Sequence, residues 1–185
     1  INKCVNFSIK KFKELLGLSL SMMSLLLLIS LISYSPEDPN FIFPQNTHIQ
    51  NILGFNGSFT ADLFYQSLGS ISMLIPFTIF FTGINIQRFK KNIFLIESFF
   101  FIILYSLLGS LFFNIFYNES FLLSINGNGG FIGIFLENTF LYNFVNLNLT
   151  ISYYALIFII FIFFLISIRF NINLFLIFVK KIFIF

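Results

Sequence analysis

The chain has 185 residues, of which 58% are hydrophobic and only 9% charged, with a net charge of +3 and a mean hydropathy of +0.96. Ordinary soluble domains carry about 25% charged residues, so a free-standing water-soluble domain is excluded. The composition predicts an all-α membrane protein that crosses the bilayer several times.

A chain that opens on Ile1 and stops in an apolar run at Phe185 is expected to be a piece of something longer. Residues 1–14 carry Lys3, Lys10, Lys11 and Lys13 and read as a cytoplasmic N-terminal segment. A spanning helix needs about 20 apolar residues, and four windows qualify, at about 15–33, 60–86, 93–116 and 151–169. The first is long enough to span and no Ala-x-Ala-like site follows it, which argues against a cleaved signal peptide. Cys4 is the single cysteine; it forms no intramolecular disulfide and reads as a bystander thiol.

The first window ends at Ser33-Tyr34-Ser35-Pro36-Glu37-Asp38-Pro39-Asn40-Phe41. Ser35 and Asp38 precede prolines, which disfavours helical backbone at both, and Glu37 and Asp38 do not re-enter hydrocarbon cheaply. This is a membrane exit. Beyond it, Asn51, Gly54 and Gly57 lead to Thr60-Ala61-Asp62. Thr60 is expected to cap the second helix, with Asp62 in its first turn, where backbone dipoles favour negative charge. His48 has no second ligand at metal spacing.

The second window carries Gly69, Pro76 and Gly83 at intervals of seven, with Ser72 near the same face. The first aligns Gly17, Ser21 and Ser24, and the third carries Ser106, Gly109 and Ser110. Small residues on one face allow helices to approach closely in lipid, so these are expected packing seams. Glu97 is the one acid well inside a window and is expected to snorkel, or to pair with Arg88 or Lys91, near the helix end.

Basic residues set the orientation. Lys3, Lys10, Lys11 and Lys13 precede the first window, Arg88, Lys90 and Lys91 link the second and third, and Arg169, Lys180 and Lys181 follow the fourth. These are all ten Lys and Arg residues, and the loops at about 34–59 and 117–150 have none. The positive-inside rule then places both termini in the cytoplasm and both long loops outside it. Within the second loop, the glycines Gly127, Gly129 and Gly130 precede an apolar stretch broken by Gly133, Glu137 and asparagines. A short interfacial or re-entrant helix is expected there. Residues 170–185 read as a cytoplasmic amphipathic tail or the start of a linker.

Active-site chemistry is missing from the pattern. No phosphate-binding loop, zinc motif or nucleophile elbow occurs, so no catalytic, cofactor or metal residue is assigned. The ordered set Tyr34-Ser35-Pro36-x-Asp38-Pro39, Asn51-x-x-Gly54-x-x-Gly57, Asp62, Gly69, Pro76, Gly83, the basic link, and Gly129-Gly130-x-x-Gly133 resembles the N-terminal four-span domain of FtsK/SpoIIIE-type DNA translocases. The similarity covers roughly residues 14–168, with Ser58 standing where the family is expected to have alanine. The resemblance implies a four-helix anchor over 15–169 that localises a hexameric, ATP-driven DNA pump to the division septum of the bacterial inner membrane. It implies a homo-oligomer, contacts with other division proteins, and DNA and ATP engaged only through a motor domain beyond this chain. The alternative reading of the residues, resting on Glu97, Asp62 and Pro76, is a fragment of a small-solute or ion transporter or channel.

Overall fold

The computed structural model describes residues 2–39, 48–119, 123 and 125–170. Expectations for the 171–185 tail with Lys180 and Lys181, for Asn40 and Phe41, and for the Lys3 and Cys4 side chains lie outside the described residues.

The described residues form helices and no strand: α1 (Asn2–Ile32), α2 (Gly54–Leu68), α3 (Leu74–Phe89), α4 (Ile93–Phe116), α5 (Gly130–Glu137), α6 (Phe140–Asn146) and α7 (Leu149–Ser167). Four stretches are long and apolar enough to cross a membrane: Val5–Ile32, Gly54–Phe89, Ile93–Phe116 and Leu149–Ser167. In chain order they run alternately away from and back toward the N-terminal lysines. Among the described residues the bundle thus has an exit end, holding residues 33–39, 48–62, 117–119, 123 and 125–149, and a basic end, holding the N-terminal lysines, the 88–97 link and Arg169.

The second span starts earlier than expected, and Thr60 does not cap it. Asn51 makes a turn in which its Oδ1 accepts from the Leu53 amide at 3.1 Å and its carbonyl accepts from the Gly54 amide at 2.9 Å. That turn launches α2 at Gly54, leaving Thr60 inside the helix with its hydroxyl donating to the Asn56 carbonyl at 2.9 Å. The span is also broken. Gly69, at φ 74°, ends α2, and a 3-10 turn over Gly69–Met73 precedes α3. Pro76 is the third residue of α3, where its missing N–H is one of the donors that a first helical turn leaves without a partner.

Packing follows the small residues. Gly17, Ser21 and Ser24 are buried on α1. A Cβ on Gly83 would come within 2.6 Å of the Gly17 carbonyl oxygen and 2.4 Å of Ser21 Oγ, so α1 and α3 touch backbone to backbone. On α4, a Cβ on Gly109 would fall 2.3 Å from Ile71, and the Ser110 hydroxyl donates to the Leu68 carbonyl at 2.7 Å. Ser106 turns its hydroxyl onto Ile103 of its own helix. Ile71, Ile75, Tyr105, Leu111, Leu136 and Leu156 fill the space between the helices.

The second loop holds two short helices, where one was expected. Asn138 and Thr139 form the break, their amides donating to the carbonyls of Phe135 and Leu136. Helix α5 lies against α4 and α2 with Gly130, Gly133 and Leu136 buried. Asn148 caps α7 by accepting from the Ile151 amide at 3.1 Å.

Candidate functional site

The motif residues of the exit end converge on one hydrogen-bonded clasp. Helix α1 ends with carbonyls that have no helical partner. The Asn51 amide group supplies one, donating to the carbonyls of Ser30 at 2.9 Å and Ser33 at 3.2 Å. The Tyr65 hydroxyl donates to the Leu31 carbonyl at 3.2 Å. Asp38, 4% exposed, turns back and accepts from the backbone amides of Gln50 at 2.7 Å and Asn51 at 2.9 Å. One carboxylate therefore holds the segment that places Asn51. Its two charge-assisted bonds, one of them only part-buried, are together worth about 2–3 kcal/mol.

The remaining motif positions close the same clasp. The Ser30 hydroxyl donates to the Gly57 carbonyl at 2.6 Å, and a Cβ on Gly57 would fall 2.1 Å from Asn51 Oδ1. Ser58 donates to the Pro39 carbonyl at 3.1 Å, and the Ser35 hydroxyl accepts from the Glu37 amide at 3.3 Å. Pro36 and Glu37 stay exposed, as does Ile52 at 74%.

Asp62 does not sit in a first helical turn. It is buried well inside α2, where its Oδ1 accepts from the Tyr34 hydroxyl at 3.2 Å and from Gln66 at 3.3 Å. Burial, and then the Asp62 charge, push the Tyr34 phenol up. The Tyr34 and Tyr65 rings lie 4.9 Å apart.

The chain of polar contacts continues into the second loop. Gln66 accepts from the Asn126 amide at 3.0 Å, and Ser70 donates to Asn128 through both its amide and its hydroxyl at 2.9 Å. Asn128 in turn donates to the carbonyls of Tyr117 and Glu119. Two left-handed glycines face each other there. A Cβ on Gly69 would fall 1.9 Å from the Asn128 carbonyl oxygen, and one on Gly130, at φ 65°, would fall 2.5 Å from the Gly69 amide nitrogen. Only glycine permits both the backbone conformation and this approach. A Cβ on Gly129 would fall 2.5 Å from Asn114, and one on Gly133 would fall 2.6 Å from the Ser110 carbonyl oxygen and 2.9 Å from Asn114. Between the two loops lies a cleft of about 270 Å³ lined by Tyr34, Tyr65, Ser70, Leu123 and Asn128.

The basic end is arranged differently. Glu97 pairs with Arg169, not with Arg88 or Lys91. Helix α7 brings Arg169 to the start of α4, and its guanidinium lies 3.8 Å from the centre of the Phe94 ring. Lys90, at φ 58°, ends α3 and reaches Glu14 at 2.7 Å, while Lys11 meets Glu14 at 2.8 Å. Lys10, Arg88 and Lys91 are exposed and Lys13 is half-buried. The sequence reading missed a buried hydroxyl network just inside this end. Thr78 lies 3.1 Å from the Tyr105 hydroxyl and 3.0 Å from Ser167, and Thr82 donates to Ser98 at 2.6 Å. The i, i+4 spacing of Thr78 and Thr82 was the available signal. Among the described residues no group of three or more His, Cys, Asp or Glu side chains is placed to hold a metal, and His48 is exposed.

The model of the 4TM region of DNA translocase FtsK/SpoIIIE matches residues 10–180. The chain is 32% identical over 75 residues to the DNA translocase FtsK of Rickettsia bellii, covering 40% of this chain and 10% of that protein. It is 35% identical over 71 residues to the DNA translocase FtsK of Azospirillum brasilense, covering 37% and 11% respectively. It is 33% identical over 64 residues to that of Rickettsia typhi, covering 35% and 9%. The chain thus aligns with about a tenth of the length of these relatives. No solved structure matches it. On the match over nearly its whole length, the chain belongs to the family of four-span membrane regions of FtsK/SpoIIIE DNA translocases.

Proposed function

We propose that this domain is the membrane anchor that localises a DNA translocase to the division septum of a bacterial inner membrane. The exit end faces outward as the recognition surface for other division proteins. The clasp carries this reading: Asp38 holds the Asn51 backbone, Asn51 and Ser30 tie the end of α1 to the start of α2, and Tyr34 is bonded to Asp62, which leaves Pro36, Glu37 and Ile52 presented on a fixed support. A preorganised surface binds without ordering its loops first. The basic residues at the opposite end favour the inner side of the membrane, and the seams of Gly and Ser hold the helices of one copy together as a unit, which the family resemblance would assemble into a hexamer. DNA and ATP would be handled by a motor outside these residues. Glu97 supports no transport role in this reading, because Arg169 matches its charge at the helix end.

The test is a fluorescent fusion of residues 1–185 expressed without a motor. Concentration at mid-cell is expected, and Asp38→Ala is expected to disperse it. Uniform membrane fluorescence of the parent fusion would contradict the proposal.

A further inference from the structure

We propose that the groove between α1 and α3 at the basic end is a binding site for one anionic phospholipid. Its headgroup would lie on Lys11, Arg88 and Lys90, and an acyl chain on the apolar residues that follow. The groove has a volume of about 660 Å³, within the roughly 300–1,000 Å³ of ordinary ligand sites. It flanks the close crossing of Gly17 and Gly83. Three cations, Lys11, Arg88 and Lys90, line it together with the single carboxylate of Glu14. Glu14 already bridges the two lysines, and Arg88 makes no ion pair among the described residues. The surplus is therefore positive, and a planar guanidinium matches the two free oxygens of a phosphodiester.

The rest of the lining fixes the class of ligand. Leu18 and Ile84 continue the groove and are 49% and 39% exposed. Cations at one end and open apolar side chains at the other fit an amphiphile, and a free phosphate would leave the apolar part unused. Two other cavities among the described residues lack this asymmetry. The one at Glu97 and Arg169, about 460 Å³, has matched charges, and the cleft at the exit end has no charged lining residue. The site lies at the membrane boundary whichever compartment the basic end faces.

The test uses the intact protein carrying this domain, purified from mixed phosphatidylglycerol and phosphatidylcholine vesicles, with native mass spectrometry reading the lipids retained. Preferential retention of one phosphatidylglycerol is expected, falling about tenfold or more in the Arg88→Gln, Lys90→Gln double variant. Ile84→Trp fills the groove without changing charge and is expected to cause the same loss, which keeps the test sound if the double variant misfolds. Lys91→Gln, exposed and outside the groove, should leave retention unchanged. Equal retention of both lipids, unchanged retention in Ile84→Trp, or an equal loss in Lys91→Gln would overturn the site.

Discussion

At the exit end, backbone is fastened to backbone by short, stiff groups: Asn51 on the last carbonyls of α1, Asp38 on two amides, Asn128 on Ser70, and Gly69 against Gly130. At the basic end, beyond the Gly17–Gly83 crossing, the fastenings are hydroxyls and ion pairs between long side chains, such as Thr78 with Ser167 and Glu97 with Arg169. A short amide or a left-handed glycine tolerates almost no displacement. A lysine or a serine has rotamers and alternative partners. The exit end should therefore be intolerant of single changes, and the hydroxyls and ion pairs of the basic end forgiving.

The largest expected effect is at Gly130. Gly130→Ala forces both a left-handed alanine and a collision with the Gly69 amide, a cost of about 3 kcal/mol or more. Gly54→Ala has nearly the same φ, 66°, but open space around it, so only the backbone cost of about 1–2 kcal/mol applies. Melting midpoints in detergent would separate the two, and equal losses would refute the close approach. Asp38→Ala comes next. It strips the partners from the buried Asn51 amide and the part-buried Gln50 amide, with an expected loss of about 2–3 kcal/mol, read as release of the exit segment in hydrogen exchange at Gln50 and Asn51.

At the basic end, Thr78→Val removes two hydroxyl contacts and should cost only about 0.6–1 kcal/mol in an unfolding titration, in line with hydrogen bonds between membrane helices. Smallest is Glu97→Gln, whose ion pair with Arg169 is partly exposed. About 0.5 kcal/mol is expected, shrinking as salt rises. If Glu97→Gln outweighed Asp38→Ala, the contrast between the ends would fail.

The same difference explains what the sequence revealed. Spans and seams were legible because hydropathy and small-residue spacing act along one helix, as at Gly17 and Ser21. Asp38, Asn51, Gly57 and Gly130 were legible as a motif but not as a mechanism, since their partners lie up to tens of residues away. Asp62 was misread as helix-terminal because the Asn51 turn that starts α2 early depends on contacts with α1. Arg169 was missed as the partner of Glu97 because sequence proximity favoured Arg88 and Lys91, whereas the return of α7 beside α4 decides the pairing. The hydroxyl network stayed hidden because serine and threonine are ordinary in such helices and carry no distinctive spacing beyond one turn.

The most direct test of the account is the side of the membrane on which the clasp lies. With Cys4→Ser as background, Pro36→Cys and Lys91→Cys place single thiols at exposed positions of the exit and basic ends. An impermeant maleimide applied to intact spheroplasts should label Pro36→Cys at once and Lys91→Cys only after lysis. Labelling of Lys91→Cys in intact spheroplasts, with Pro36→Cys protected, would put the clasp in the cytoplasm and contradict the outward recognition surface proposed for it.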